Sequence, residues 1–232
     1  MTEEDRIRDI YRSYETGGRE RLWDMTNRGF ARLSQDRDVR LRDLLARSLP
    51  ARSLPARAAS LLDVGCGNGA LLATVGRRWP DVELTGLDLQ PERIDEARVT
   101  VPEARLVVGS ADALPFDDRA FDVVTAITLM SSLPTERMEV DASREIARVT
   151  RPGGWLIWFD LRYDNPSNPA VHGIDRRRLA TLFPAWAQEL RSSTVLPPVA
   201  RRLGRTTPVL YPILEAIPPL RSHLIGRLRC PT

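Results

Sequence analysis

The chain has 232 residues, is 42% hydrophobic, and carries a formal net charge of +3, enough apolar material for one well-buried core and at most a small appendage. All 34 basic residues are arginine; a base-composition bias of the genome accounts for that as readily as function does, so a pI near 9.3 is weak evidence for a nucleic-acid partner, and none is expected. Cys66 and Cys230 are too far apart for a disulfide or zinc pattern, the start Thr2-Glu3-Glu4-Asp5 lacks the apolar core of a secretory signal, and no apolar run reaches the roughly 18 residues of a membrane span, so a cytoplasmic protein is expected.

Residues 4 to 16 place Ile7, Ile10, Tyr11 and Tyr14 at helical spacing, and Gly17-Gly18 stop that helix. A second helix is expected from about Glu20 to Leu33, with Leu22, Trp23 and Phe30 apolar, and a third from Asp38 to Leu49. The pentapeptide Ala46-Arg47-Ser48-Leu49-Pro50 then recurs as Ala51-Arg52-Ser53-Leu54-Pro55. Such a unit is far shorter than any repeat fold and reads as a duplicated linker. Residues 1–58 are therefore expected to form a helical N-terminal cap and linker.

From Ala59 the texture becomes strand, turn and helix in alternation. Strands are expected at Leu61–Val64, Val82–Leu87, Leu106–Val108, Phe121–Ile127 and Trp155–Leu161, with helices at Ala70–Trp79, from Pro91 onward, and at Arg137–Thr150. That alternation signifies βαβ units and a parallel sheet covered on both faces. Asp175–Phe183 reads as a helix, Arg191–Val195 and His223–Leu228 as further strands, and the proline-rich, apolar stretch 197–221 as a helical insertion in a domain spanning 59–232.

The chemistry is concentrated at Asp63-Val64-Gly65-Cys66-Gly67-Asn68-Gly69, between a strand and a helix. Glycines allow a sharp turn and close ligand approach, and the helix N-terminus offers free N–H groups. The turn alone is a weak signal, since dinucleotide folds use related loops. Asp63 before the first glycine would repel a pyrophosphate, yet suits an ammonium group. Asp88 ends the next strand, where an acid accepts ribose hydroxyls. Asp112, in Gly109-Ser110-Ala111-Asp112-Ala113-Leu114-Pro115-Phe116, is placed to receive an adenine amino group.

Taken in order, L-L-D-V-G-C-G-N-G, G-L-D, G-S-A-D-A-L-P-F-D-D, F-D-V-V and R-P-G-G-W-L resemble the signature of class I S-adenosylmethionine-dependent methyltransferases, particularly small-molecule ones, over about residues 59 to 161. The resemblance implies an α/β, Rossmann-like fold with a mostly parallel seven-stranded sheet, helices on both faces and a helical N-terminal cap. It implies S-adenosyl-L-methionine as cofactor, S-adenosyl-L-homocysteine as product, and a site built from Asp63, Gly65, Cys66, Gly67, Asp88, Leu89, Ala111, Asp112, Ala113 and Thr128. Methyl transfer from a sulfonium is an in-line displacement in which the enzyme aligns the partners and excludes water, and a base is needed only if the acceptor must lose a proton.

The segment after the fourth strand, Ile127-Thr128-Leu129-Met130-Ser131-Ser132-Leu133, lacks the Asn/Asp-Pro-Pro-aromatic run by which enzymes methylating exocyclic base amines resemble one another. Neither cysteine is placed for base C5 methylation. Asp164-Asn165 would match half of a catechol-type magnesium site, but the acid after the fourth strand is missing, so no metal is expected. The loop after the fifth strand, Asp160 to Ile174, should lie over the methyl group. Its candidate catalytic residues are His172, as a base for a hydroxyl acceptor or a plain loop histidine, and Asp160, there or as a residue that orients the loop. Asn165 and Asn168 precede prolines, a turn signature.

Tyr11, Tyr14, Trp23 and Phe30 would either close the pocket or simply pack. The last 42 residues hold seven arginines and one acid, Glu215, amid apolar residues. They read either as solvated arginines on a helical hairpin or as a surface for an anionic, lipid- or carrier-linked acceptor or a membrane. The expected activity is O-methylation of a saccharide, a lipid-linked molecule or a secondary metabolite. Carbon or nitrogen methylation of a natural product and a nicotinamide-dependent oxidoreductase stand as alternatives, and oligomeric state is left open.

Overall fold

The computed structural model describes residues 24–49, 58–165 and 171–232. The helix expected at 4–16, Tyr11, Tyr14, Trp23, the second pentapeptide copy and Asn168 lie outside the described residues.

Helix α1 (Arg28–Ser48) starts at Asn27, whose side chain accepts the Phe30 N–H. It is one helix where two were expected, at 20–33 and 38–49. Ser34-Gln35-Asp36-Arg37 contains no glycine or proline to break it, Arg32 and Asp36 pair one turn apart at 3.2 Å, and Leu33, Leu41, Leu44 and Leu45 continue one buried stripe.

Then come β1 (Ser60–Val64), α2 (Ala70–Arg78), β2 (Glu83–Asp88), α3 (Pro91–Thr100), β3 (Arg105–Val108), β4 (Phe121–Ile127), α4 (Glu136–Val149), β5 (Thr150–Leu161), α5 (Arg176–Leu182), β6 (Ala187–Val195), α6 (Pro197–Arg202), α7 (Thr207–Glu215) and β7 (Arg221–Arg229). Asn27, Thr135 and Asp175 all supply the same N-cap bond, and Pro91 occupies the first turn of α3. Strand β5 begins five residues earlier than expected, because Thr150 already pairs with Phe121 before a register shift.

The seven strands form one sheet in the order β3-β2-β1-β4-β5-β7-β6, with β7 antiparallel to both its neighbours. Alternation along the strands divides the core into two layers. Leu62, Val124, Leu156 and Trp158 face Met138, Ala142, Ile146 and Val149 of α4. Leu61, Val123, Ile157 and Phe159 face Leu44 and Leu45 of α1, Leu72 of α2 and Ile94 of α3. The chain therefore folds as the Rossmann-like α/β architecture expected, and the described part of the N-terminal segment is a helix laid on one sheet face. A smaller cluster of Leu33, Val195, Ala200 and Tyr211 joins α1 to the helices between β6 and β7.

Candidate functional site

Strands β1 and β4 are neighbours whose connections run to opposite sides of the sheet, and such a switch point opens a crevice at the strands' carboxyl ends. A cleft lies there, lined by Gly65 and Gly67 after β1, Leu87 to Gln90 and Arg93 around the end of β2, Gly109 to Ala111 after β3, and Ile127 to Leu129, Ser132 and Leu133 after β4.

The turn after β1 is fixed from below. The N–H groups of Gly65 and Cys66 both donate to the Leu87 carbonyl, at 2.7 and 3.0 Å, and Gly69 N–H donates to the Cys66 carbonyl. Gly65, Gly67 and Gly69 have φ of 75°, 52° and 77°, a region L side chains seldom adopt. A Cβ built on Gly67 would meet no atom within 4 Å, so backbone conformation and the open cleft above it, rather than crowding, call for glycine there. Asp88 faces the cleft and accepts from Gly67 N–H at 2.8 Å and Gln90 N–H at 3.0 Å. Burial raises its pKa despite those bonds and the nearby Arg93.

Of the ten residues expected at this site, Gly65, Gly67, Asp88, Leu89, Ala111 and Thr128 line the cleft, and the other four do not. Asp63 is buried beneath the turn, accepts the Thr125 hydroxyl at 2.5 Å, and is pushed up to about 7, chiefly by burial. Cys66 turns into the core under the turn, where burial first and then Asp63 and Asp88 raise its thiol strongly. Asp112 stands one step back, accepting the Ser110 hydroxyl, and Ala113 points to solvent.

Neither candidate catalytic residue reaches the cleft. Asp160 is fully buried and accepts the backbone N–H groups of Ser131 (3.1 Å) and Leu161 (2.8 Å); burial lifts it to about 6. Through Ser131 it holds the short 3-10 turn Met130–Ser132 after β4, rather than the loop after β5 that it was expected to orient. His172 lines a second cavity with Pro134, Glu136, Glu139 and Arg178. Its Nε2 donates to the Leu133 carbonyl at 2.9 Å, since a carbonyl can only accept, and its backbone N–H donates to the Ser131 carbonyl. The two residues thus hold the 130–133 turn from opposite sides. Asp164 accepts Gly173 N–H at 2.9 Å, and Asn165 N–H donates to the Val171 carbonyl, which close the neck of that loop.

Leu87, Gln90, Arg93, Gly109, Ser110, Ile127, Leu129, Ser132 and Leu133 line the cleft without having been expected there. A signal existed for Gln90 and Arg93, because the helix opened by Pro91 points its N-terminus at the same crevice as Asp88. Thr128 carries strain. Its φ is 53°, held by its own N–H to the Phe159 carbonyl (2.7 Å) and its hydroxyl to the Ile127 carbonyl (2.7 Å). A β-branched residue in that region marks a position the fold over-determines.

Comparison with known proteins gives a consistent picture. Residues 61–154 match a family model described as a methyltransferase domain. A phthiotriol/phenolphthiotriol dimycocerosates methyltransferase from Mycobacterium leprae is 38% identical over 110 residues, 47% of this chain and 38% of that protein. A fatty-acid O-methyltransferase from Mycolicibacterium smegmatis is 37% identical over 110 residues, 46% of this chain and 39% of the relative. The matched region thus spans about two fifths of each relative's length. Among solved structures, the N-methyltransferase NodS from Bradyrhizobium japonicum superposes with a TM-score of 0.62 at 16% identity, over 86% of this chain and 97% of that one, a likeness of fold.

Proposed function

We propose that this chain, whose residues 61–154 match a methyltransferase-domain model, is a class I S-adenosylmethionine-dependent methyltransferase, that the cleft between β1 and β4 binds S-adenosylmethionine, and that the protein methylates an oxygen of a lipid-like or other small acceptor. The catalytic unit would be residues 59–232, with 1–58 as its N-terminal extension and 197–221 as an insertion. The open space over Gly67, beside a cleft-facing Asp88, is the observation that carries the cofactor assignment. It leaves room for a ligand against bare backbone, next to a carboxylate that accepts hydroxyls.

In this reading Gly65 and Gly67 admit the amino-acid part of the cofactor, Asp88 accepts the ribose hydroxyls, and Leu89 and Ala111 pack on the adenine. The bound cofactor supplies an electrophilic methyl carbon with its leaving group attached. The chain's part is geometric: Thr128, Leu129, Ser132 and Leu133 form the wall beside which the acceptor oxygen is aligned and water excluded. The 130–133 turn is fixed in place by its bonds to Asp160 and His172.

Support for a lipid acceptor comes from the names of both relatives, a phthiotriol/phenolphthiotriol dimycocerosates methyltransferase and a fatty-acid O-methyltransferase, and support for oxygen from the second alone. Calorimetric titration with S-adenosylhomocysteine and with NADH tests the cofactor. Micromolar binding of the first alone is expected, and no binding, or preference for NADH, would overturn the reading. Labelled S-adenosylmethionine with a panel of fatty acids, lipid alcohols, glycolipids and amines then tests the acceptor. Label on amines alone would replace oxygen with nitrogen.

A further inference from the structure

The segment between β6 and β7 has a composition the methyl-transfer reading leaves unused. Helix α7 is anchored on one side: Thr207 and Tyr211 are buried, Tyr211 sits with Leu33, Val195 and Ala200, and Glu215 pairs with Arg40 of α1 at 2.5 Å. Its other side carries Val209 (67% exposed), Leu210, Ile213 (56%) and, just beyond, Ile217. Single exposed aliphatics are ordinary on a protein surface; four within nine residues on one face are a patch.

The exposed charges of the segment itself are one-sided. Arg202 and Arg205 are exposed, and no carboxylate pairs with either among the described residues. The acid of the segment, Glu215, is turned inward to Arg40 and the Thr194 N–H. The outer side of residues 202–217 is therefore apolar at its crest, cationic at its N-terminal end, and has no exposed carboxylate of its own.

Its place in the fold matters as much. Val195 at the end of β6 pairs with Arg221 at the start of β7. His223 pairs with Leu161, and Phe159 with Ile127, the last residue of β4. The segment therefore emerges from the same carboxyl edge of the sheet as the cleft. Tyr163, at the start of the loop after β5, reaches the Pro219 carbonyl with its hydroxyl at 3.5 Å.

We propose that the outer face of residues 202–217 is a peripheral membrane-docking surface, which seats the protein on a bilayer carrying anionic lipids with its cleft end toward the headgroups. Aliphatic side chains at the interface and arginines at headgroup level are the two attractions such binding combines. A second copy of the chain fits less well, because a two-fold contact through this face would offer the flanking arginines no exposed carboxylate of the segment to pair with. No helix among the described residues is long and apolar enough to cross a membrane, so the contact lies on the bilayer and does not span it. The surface stands whatever the acceptor is, since docking needs no methyl transfer.

The test is co-sedimentation of the full chain with phosphatidylcholine vesicles, with and without phosphatidylglycerol. Binding is expected only to the anionic vesicles, and it should weaken with added salt. Replacing both Val209→Ser and Ile213→Ser, or both Arg202→Ser and Arg205→Ser, should cut partitioning by at least about tenfold. S-adenosylhomocysteine affinity and thermal midpoint should stay at wild-type values, because all four side chains are exposed. Failure of the wild type to bind anionic vesicles, or equal binding by the variants, overturns the proposal. So does a concentration-dependent dimer that the Ile213→Ser change disperses without any vesicle binding, which would assign the face to a second copy.

Discussion

The Asp88 carboxylate accepts the Gly67 N–H at 2.8 Å, so a single side chain at the end of β2 both faces the cleft and fixes the turn after β1. Removing it has two separable effects. Asp88→Ala leaves the Gly67 and Gln90 N–H groups without their acceptor, next to solvent, a loss of about 1 kcal/mol in stability. The same change removes the proposed acceptor for the ribose hydroxyls, and S-adenosylhomocysteine should bind at least about tenfold more weakly. Asp88→Asn keeps an acceptor oxygen without the charge and should fall between. Calorimetry of the three proteins decides; an unchanged affinity in the alanine variant would remove Asp88 from the site.

Thr128 offers a sharper contrast, because its backbone rather than its side chain is the costly part. With φ at 53°, Thr128→Gly should relieve strain of about 1 kcal/mol, offset in part by the freer unfolded chain. Thr128→Val keeps the branching, loses the hydroxyl bond to the Ile127 carbonyl, and should destabilise by about 1–2 kcal/mol. Urea midpoints ordered Gly above Val are expected, and the reverse order would mean that the conformation is unstrained. Both variants should lower kcat/KM, since both alter the wall at the end of β4.

What could be read in advance was local. Leu61 to Gly69 carries its own strand, its left-handed glycines and its helix start within nine residues, and Asp88 follows at the spacing a strand–helix–strand unit imposes. What could not be read was set by partners far along the chain. Asp160 lies at the carboxyl end of β5 and His172 in the loop after it, where a sequence reading aims them at the methyl group, yet their bonds run to Ser131 and Leu133, twenty-nine and thirty-nine residues away. Cys66 illustrates the same limit: it lies between two cleft glycines but points into the core. The single α1 was missed because two apolar stretches were read as two helices although no breaker stands between them.

Two buried acids give the apo protein a pH signature. Asp63 is raised to about 7 and Asp160 to about 6, both mainly by burial. A folded pKa above the unfolded value means that the folded state binds the proton more tightly. The resulting stability is fully present below the unfolded value near 4 and is lost as pH rises through the folded one. His223, buried and lowered to about 3, acts in the opposite sense: its contribution is present above about 6.5 and is lost as pH falls. The wild-type curve therefore mixes both, and the clean readout is a difference. Asp63→Asn still accepts the Thr125 hydroxyl and cannot ionise, so it should gain on wild type as pH rises from about 4 to about 7, on the order of a few kcal/mol at most. A gap that stays constant with pH would show that Asp63 titrates normally.

Asp160 and His172 can be separated from true catalysts by which kinetic quantity they move. Asp160→Ala would strand the buried Ser131 N–H and free the 130–132 turn, at a cost of about 1–3 kcal/mol in stability. Asp160→Asn retains one acceptor and should recover much of it. His172→Ala loses only the bond to the Leu133 carbonyl, about 1 kcal/mol, and cannot remove a proton-transfer step if the ring never meets the acceptor. Methyl transfer by His172→Ala should therefore fall less than about tenfold, far short of the hundredfold or more expected on losing a general base, with the change in KM rather than kcat. The pH dependence of kcat should also keep its shape. A collapse of kcat together with an altered pH profile would instead place the imidazole at the acceptor.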